Sequence, residues 1–425
     1  MVNLAYARRK KTQIYLIAAL LLLCCCLLVA CNSDMSYGVD GETVSEPTHF
    51  IARFMLIIND SIGGGAESFG WTVVVFTIIL RLILSPLDIW QKVIMRKNNA
   101  KMERMKPQLE ALQAEFGDDK QRLAQEQQAL YKKEKYSMFG MCLPMIVTLV
   151  VFFVVFAGFR QTVGYQFAKD YKECQNAFNQ TVAEQIEANY PDANGDGKFD
   201  LDDIPKTEEG AAFYDEVVNA AQDRVYEVYY SPDQKKMRSW LWIHNIFSPD
   251  NWSNAVPDFN TITGQTAMSS TTRLSGITVD EYNLVMKKVL GTGGWNEKTG
   301  KWNGLLILPV LSIALSFLST KLTTLTQSAG QKKDRATRKA EKEAEKAKRK
   351  AGEAEATKAA SNKMMQYAMP LIFGVITVFY SGAFALYMFT SSFVAIAFQL
   401  AFNLVCLIID KKKAGQSNGP IKAKR

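Results

Sequence analysis

Arg81 stands in the run Thr77-Ile78-Ile79-Leu80-Arg81-Leu82-Ile83-Leu84-Ser85. With about ten residues of span on either side, helical rise puts it roughly 15 Å from each surface of a bilayer. An arginine at that depth costs at least about 2.5 to 3.5 kcal/mol on insertion scales, so its charge needs compensation. Four further apolar spans contain no Asp or Glu, and Asp88, two turns from Arg81 on a similar face, lies near the cytoplasmic end of the first. A salt bridge to another span is therefore excluded, which leaves water and neutral polar groups. Thr77 and Ser85, four residues either side of Arg81, extend its face into a polar stripe. Ser312, Ser316, Ser319 and Thr323 recur at helical spacing in a later span, and Gln399 and Asn403 form an i, i+4 pair in the last. Three polar stripes around one unpaired cation predict a hydrated intramembrane groove that receives a negative group transiently. Ordinary close packing through small residues is the alternative explanation for the serines.

A second constellation belongs to calcium chemistry. Asp192, Asn194, Asp196, Asp200 and Asp203 occupy positions 1, 3, 5, 9 and 12 of a twelve-residue loop, Lys198 offers its carbonyl at position 7, and Gly197 stands at the turn. Asp203 replaces the usual bidentate Glu, so a weak structural calcium site is expected, with an Asp/Asn/Gly turn holding no metal as the alternative. No other cofactor is required. His49 and His244 are the only histidines and lack ligand spacing. The chain also has no Gly-x-Ser-x-Gly elbow, His-Glu-x-x-His pair or phosphate-binding loop, so it is not read as an enzyme.

The elements that must hold these residues are membrane spans. The chain has 425 residues, and the uncharged run from Met364 to Ile409 matches two bilayer crossings. Charge is unevenly divided: residues 161–303 carry 13 Lys+Arg against 21 Asp+Glu, whereas the whole chain is net +8. The fold class is thus all-α and polytopic, with five spans at 71–89, 138–160, 304–325 and, as a pair, 364–410. The loops 91–137 and 326–362 each hold 11 Lys+Arg and the tail 411–425 holds 6. Basic residues stay inside, which puts both loops (domains 90–137 and 326–363) and the tail in the cytoplasm and the insertion 161–303 outside.

The N-terminus agrees with that orientation. Arg8 to Lys11 precede an apolar stretch that ends in Leu28-Val29-Ala30-Cys31, the order of an export signal over 1–30. The last four residues resemble a bacterial lipobox, which implies cleavage before Cys31 and a covalent lipid, such as a palmitate-bearing diacylglycerol, on its thiol. Over 31–70, a polar tether leads into an apolar stripe of Phe50, Ile51, Phe54, Met55 and Ile58, read as an interfacial helix. Within 90–137, Met102, Met105, Leu109, Leu112 and Phe116 make a heptad-like seam, Gly117-Asp118-Asp119 breaks it, and Leu123, Leu130 and Tyr131 resume it. The pattern predicts an antiparallel helical hairpin.

Taken in order, Gly70-Trp71, Ser85-Pro86-Leu87, the hairpin over 102–135 and Gly140-Met141-Cys142-Leu143-Pro144-Met145 resemble the YidC membrane-protein insertases. Trp242-Ile243, Ser248-Pro249-Asp250, Ile307-Leu308-Pro309, Met369-Pro370 and Phe384-Ala385-Leu386-Tyr387 continue the likeness. It implies a five-helix insertase core in the bacterial cell membrane, with Arg81 in the floor of a groove open to cytoplasm and lipid. Substrates would be nascent membrane proteins, handled alone or beside the Sec translocon and the ribosome, with no role for DNA. The lipobox looks like the Gram-positive form of the family, whereas Met388 and Ser319 depart from its usual residues. A transporter binding an anionic solute at Arg81 is the competing class, although the chain shows no internal repeat.

Overall fold

The computed structural model describes residues 36–38, 44–63, 68–117, 119–136, 139–190, 198–263, 273–291, 302–329, 371–372 and 374–417. The export signal and Cys31, the calcium-loop residues Asp192, Asn194 and Asp196, most of the loop 326–363 and the end of the tail lie outside them.

The described chain is overwhelmingly helical: α1 Phe50–Ile62, α2 Phe69–Phe116, α3 Lys120–Lys133, α4 Phe139–Asn189, α5 Glu208–Tyr229, α6 Pro232–Arg238, α7 Phe259–Ile262, α8 Val279–Leu290, α9 Ile307–Ala329 and α10 Gly382–Ser417. The exception is one parallel pair of three-residue strands, β1 Ser36–Gly38 and β2 Arg273–Ser275. Among the described residues, Phe69–Met102, Leu149–Asn189 and Gly382–Ile409 are long and apolar enough to cross a membrane, and Ile307–Thr323 is a shorter apolar helix. The protein is therefore an all-α membrane protein. Of the region expected to form the fourth span, residues 374–379 are helical and 364–370 lie outside the description.

Two compact units interleave along the sequence: Met1–Phe76, Leu149–Pro309 and Ile376–Tyr387 form the first, and Thr77–Thr148, Val310–Val375 and Met388–Arg425 the second. In the first unit, Phe76, Phe159, Phe384 and Tyr387 form an aromatic core, with ring centroids 5.4 to 6.4 Å apart. Helix α1 starts because His49 Nδ1 accepts from the Ile51 amide, and it stops at Gly63, whose φ of 141° favours glycine. Its apolar stripe divides: Ile51, Met55 and Ile58 are buried in protein, Phe54 is partly buried and Phe50 stays exposed. Helix α4 runs well past residue 160 because Val163, Phe167, Tyr171, Cys174, Phe178, Val182 and Ile186 recur at helical spacing and are all buried. Thr207 and Thr278 cap α5 and α8, which pack on one another. Asp170 of α4 and Arg238 of α6 form an ion pair at 3.0 Å with both side chains almost wholly buried.

In the second unit the hairpin folds on Met105, Leu130 and Tyr136, joined by Met102, Leu109, Leu112 and Tyr131. Asp119 caps α3 by accepting from the amides of Gln121 and Arg122. The first arm of the hairpin is the continuation of α2, which accommodates Pro86 and Pro107 within 48 residues.

Candidate functional site

The charged centre of the second unit is Arg81, and α2 and α10 build its surroundings. Arg81 Nε donates to Ser391 Oγ at 2.9 Å, and a terminal guanidinium nitrogen donates to the same hydroxyl. The other terminal nitrogen stands 3.7 Å from a carboxylate oxygen of Asp88, with the two side chains 25% and 30% exposed. This corrects the expectation of a cation without a carboxylate. Seven residues are two turns of helix, so Asp88 projects from nearly the same face as Arg81. Long side chains close the axial gap of about 10 Å between their backbones. Lys92, one turn beyond Asp88, lies over the Phe402 ring of α10, 5.9 Å from its centroid. Positive, negative and positive side chains thus follow one another along α2.

The expected polar stripes reach this centre unequally. Thr77 is fully buried one turn before Arg81. Ser85 turns back to its own helix and donates to the Leu82 carbonyl at 2.8 Å. On α9, Ser312 is buried and Ser316 meets Ser392 of α10 hydroxyl to hydroxyl at 3.1 Å. Small polar residues of α9 and α10 thus hydrogen-bond to each other at this point. Ser319 accepts at its backbone carbonyl from Thr323 Oγ1 at 2.9 Å. Gln399 is buried and donates to Asn403 at 2.9 Å, and both share the α10 face that carries Ser392, at gaps of seven and four. A close approach marks the flank of α9: a Cβ on Gly374 would stand 2.2 Å from the Ile313 side chain.

Ser391 and Asp88 are the site residues that the sequence stripes omit. Ser391 sits in Thr390-Ser391-Ser392, where any of three hydroxyls could face α2 and spacing does not choose among them. Asp88 was weighed by its depth in the bilayer rather than by the reach of its side chain.

Of the calcium-loop residues, Lys198, Asp200 and Asp203 are described. Asp200 caps a 3-10 turn at Leu201–Asp203, and the buried Asp203 accepts from the Asp200 amide at 3.1 Å. Loop positions 9 and 12 are therefore held together by a reciprocal cap. Among the described residues no group of three or more His, Cys, Asp or Glu side chains is placed to hold a metal.

An all-α membrane protein with an intramembrane arginine is the class that the geometry defines. Within it, residues 61–189 match the model of the 60Kd inner membrane protein family. The chain is also similar to proteins named membrane protein insertase YidC. It is 36% identical to that of Ectopseudomonas mendocina over 107 residues, 25% of this chain and 18% of the relative. It is 40% identical to that of Dechloromonas aromatica over 89 residues, 21% of this chain and 16% of the relative. It is 37% identical to that of Xanthomonas campestris over 90 residues, covering 21% and 15%. The matched stretch is less than a fifth of each relative's length. The family match holds α2 with Arg81 and Asp88, the hairpin and α4, so the resemblance read from the motifs is shown over 61–189.

Proposed function

We propose that the chain is a membrane protein insertase and chaperone that receives nascent membrane proteins at Arg81. The observation that carries this reading is an intramembrane guanidinium, a quarter exposed and held between Ser391 and Asp88. Ser391 orients the guanidinium through a neutral hydrogen bond, which leaves its charge available. Asp88 is a resident carboxylate that an acidic residue in a client's outer tail displaces, because the two anions compete for the same donors. The apolar segment that follows the tail then slides into the bilayer, and no bond is made or broken.

The remaining parts fit that task. The hairpin offers the charged outer faces of α2 and α3 for early client contact. The basic loop and tail face the cytoplasm, where they meet anionic lipid or ribosomal RNA, alone or beside the Sec translocon. Cys31 anchors the outer N-terminus through lipid. Asp192, Asn194, Asp196, Lys198, Asp200 and Asp203 would bind a structural calcium ion between α4 and α5. The described part suits this, since the cap brings Asp200 and Asp203 together.

The test is complementation of a cell depleted of its own insertase, scored by insertion of a reporter with an acidic outer tail. Wild type and Arg81→Lys restore insertion, whereas Arg81→Ala and Arg81→Glu fail at equal abundance. Restoration by all four would remove Arg81 from the reading. Failure of the wild type in a competent host would favour the anion transporter.

A further inference from the structure

Four large apolar side chains are exposed on the loop 240–253 and on the lead into α9: Leu241 at 75%, Trp252 at 61%, Trp302 at 50% and Leu305 at 50%. They are rigidly presented. The amide and carbonyl of Trp240 pair with those of Ile243 at 2.9 and 2.8 Å, which throws Leu241 onto the tip of a tight turn. Leu241 holds a φ of 50° there, a conformation unfavourable for leucine that aims its side chain away from the core. Trp252 and Trp302 flank a backbone frame in which Asn303 donates to Ser253 at 2.8 Å and Gly304 to Asn251 at 3.0 Å. Buried Asn245 and Asn303 exchange hydrogen bonds beneath it.

The same frame starts two membrane helices. Asp250, fully buried, accepts from the amides of Leu305 and Leu308 at 2.9 Å each and so fixes the first turn of α9. The Trp240 ring lies edge-on to Trp71, 4.8 Å away, on the first turn of α2, and Gly70 clears the space for it. The exposed apolar side chains therefore stand where α2 and α9 begin, and Trp71 carries the same exposed apolar surface onto α2 itself. Lys235 and Lys236 are exposed on the neighbouring α6.

We propose that the 240–253 loop and the 302–305 lead form an interfacial foot, seated in the boundary between headgroups and acyl chains at the N-terminal ends of α2 and α9. A lipid surface is the partner that fits. Tryptophan joins an apolar body to one N–H donor and prefers that boundary. The four side chains carry no charge, and Lys235 and Lys236 supply the attraction to lipid phosphate. The foot does not depend on what the groove receives. It fixes the depth of two helices and, through α2, of the aromatic core that Phe76 enters.

The test places a photoreactive benzoylphenylalanine singly at Leu241, Trp252, Val279 or Val310 of the full chain, in vesicles of phosphatidylethanolamine and phosphatidylglycerol with radiolabelled phospholipid. Positions 241 and 252 are expected to give phospholipid adducts on illumination, as does position 310 within α9. Position 279, an exposed valine that opens α8, should give about tenfold less, as befits a side chain left in water. Labelling at 310 without labelling at 241 and 252 would overturn the proposal. So would adducts at these positions that run as cross-links to protein, which would make the surface a protein interface instead.

Discussion

Replacing Asp88 by asparagine separates a resident placeholder from a supporting residue. The change keeps size and hydrogen bonding and removes the negative charge. At 3.7 Å and an effective dielectric of 20, the attraction to Arg81 is about 4 kcal/mol before solvent is counted. Both side chains are a quarter to a third exposed, and exposed pairs retain about 1 kcal/mol at most, so the net pairing is of that order. That energy is what an incoming carboxylate must replace. Asp88→Asn therefore strengthens capture of an acidic tail by about fivefold, since 1.4 kcal/mol is a factor of ten. The assay is pulse-labelled insertion of reporters whose outer tails carry no, one or two aspartates, with protease accessibility as the readout. The single-aspartate reporter gains most, and the uncharged reporter is unchanged. Loss of acidic-tail insertion in Asp88→Asn, to the level of Arg81→Ala and at equal abundance, refutes the reasoning, because Asp88 would then hold Arg81 in its working geometry.

Other consequences follow from the first unit. Asp170→Ala leaves Arg238 charged and buried without its partner, so a thermal melt should register a loss of about 3 to 5 kcal/mol, and the double change Asp170→Leu with Arg238→Met should recover most of it. Gly70→Ala puts a Cβ 2.2 Å from the Trp240 ring and should cost about 1 to 3 kcal/mol in the same melt, with Trp240→Ala largely relieving it. Burial lowers the pKa of His49 below 6.5, and its neutral Nδ1 caps α1. The unfolded state then binds the proton first. The stability from His49 is complete above pH 6.5 and is lost as the pH falls from there through the lowered value, and His49→Asn, which keeps an acceptor at the cap, should flatten that slope.

Hydropathy and charge carried the all-α membrane class, because long apolar runs have few other solutions. They did not mark where helices stop. The charges that begin at Arg160 suggest the end of a span, yet the apolar positions 163, 167, 171, 174, 178, 182 and 186 keep one helix going to Asn189 by burying a single face. The period was present in the sequence and the charge change masked it. The strands β1 and β2 are only three residues each, too short for alternation to register. In the site, Arg81 was legible because one charge in an apolar run is conspicuous. Its partners were not: Ser391 is one of three adjacent hydroxyls, and the contact with Asp88 depends on side-chain reach that a count of residues from the membrane surface omits.

A pairing of about 1 kcal/mol also limits what Arg81 could do for a client under the proposed function. A span of about 20 residues gains several tenths of a kcal/mol for each Leu, Ile, Phe or Val moved to the bilayer centre, so a strongly apolar segment supplies several kcal/mol. The groove charge is small beside that, and a stronger hold would delay release of the tail. In the proposed insertase, Arg81 therefore recruits and apolar transfer drives. The two roles separate in a reporter series with a constant acidic tail and a span stepped from weakly to strongly apolar by Ala to Leu changes. The defect of Arg81→Ala should be largest for the weakest span and shrink as leucines accumulate, because transfer then commits the client without prior capture. A defect that stays constant along the series would mean that the charge acts in the insertion step itself, and capture alone would no longer account for it.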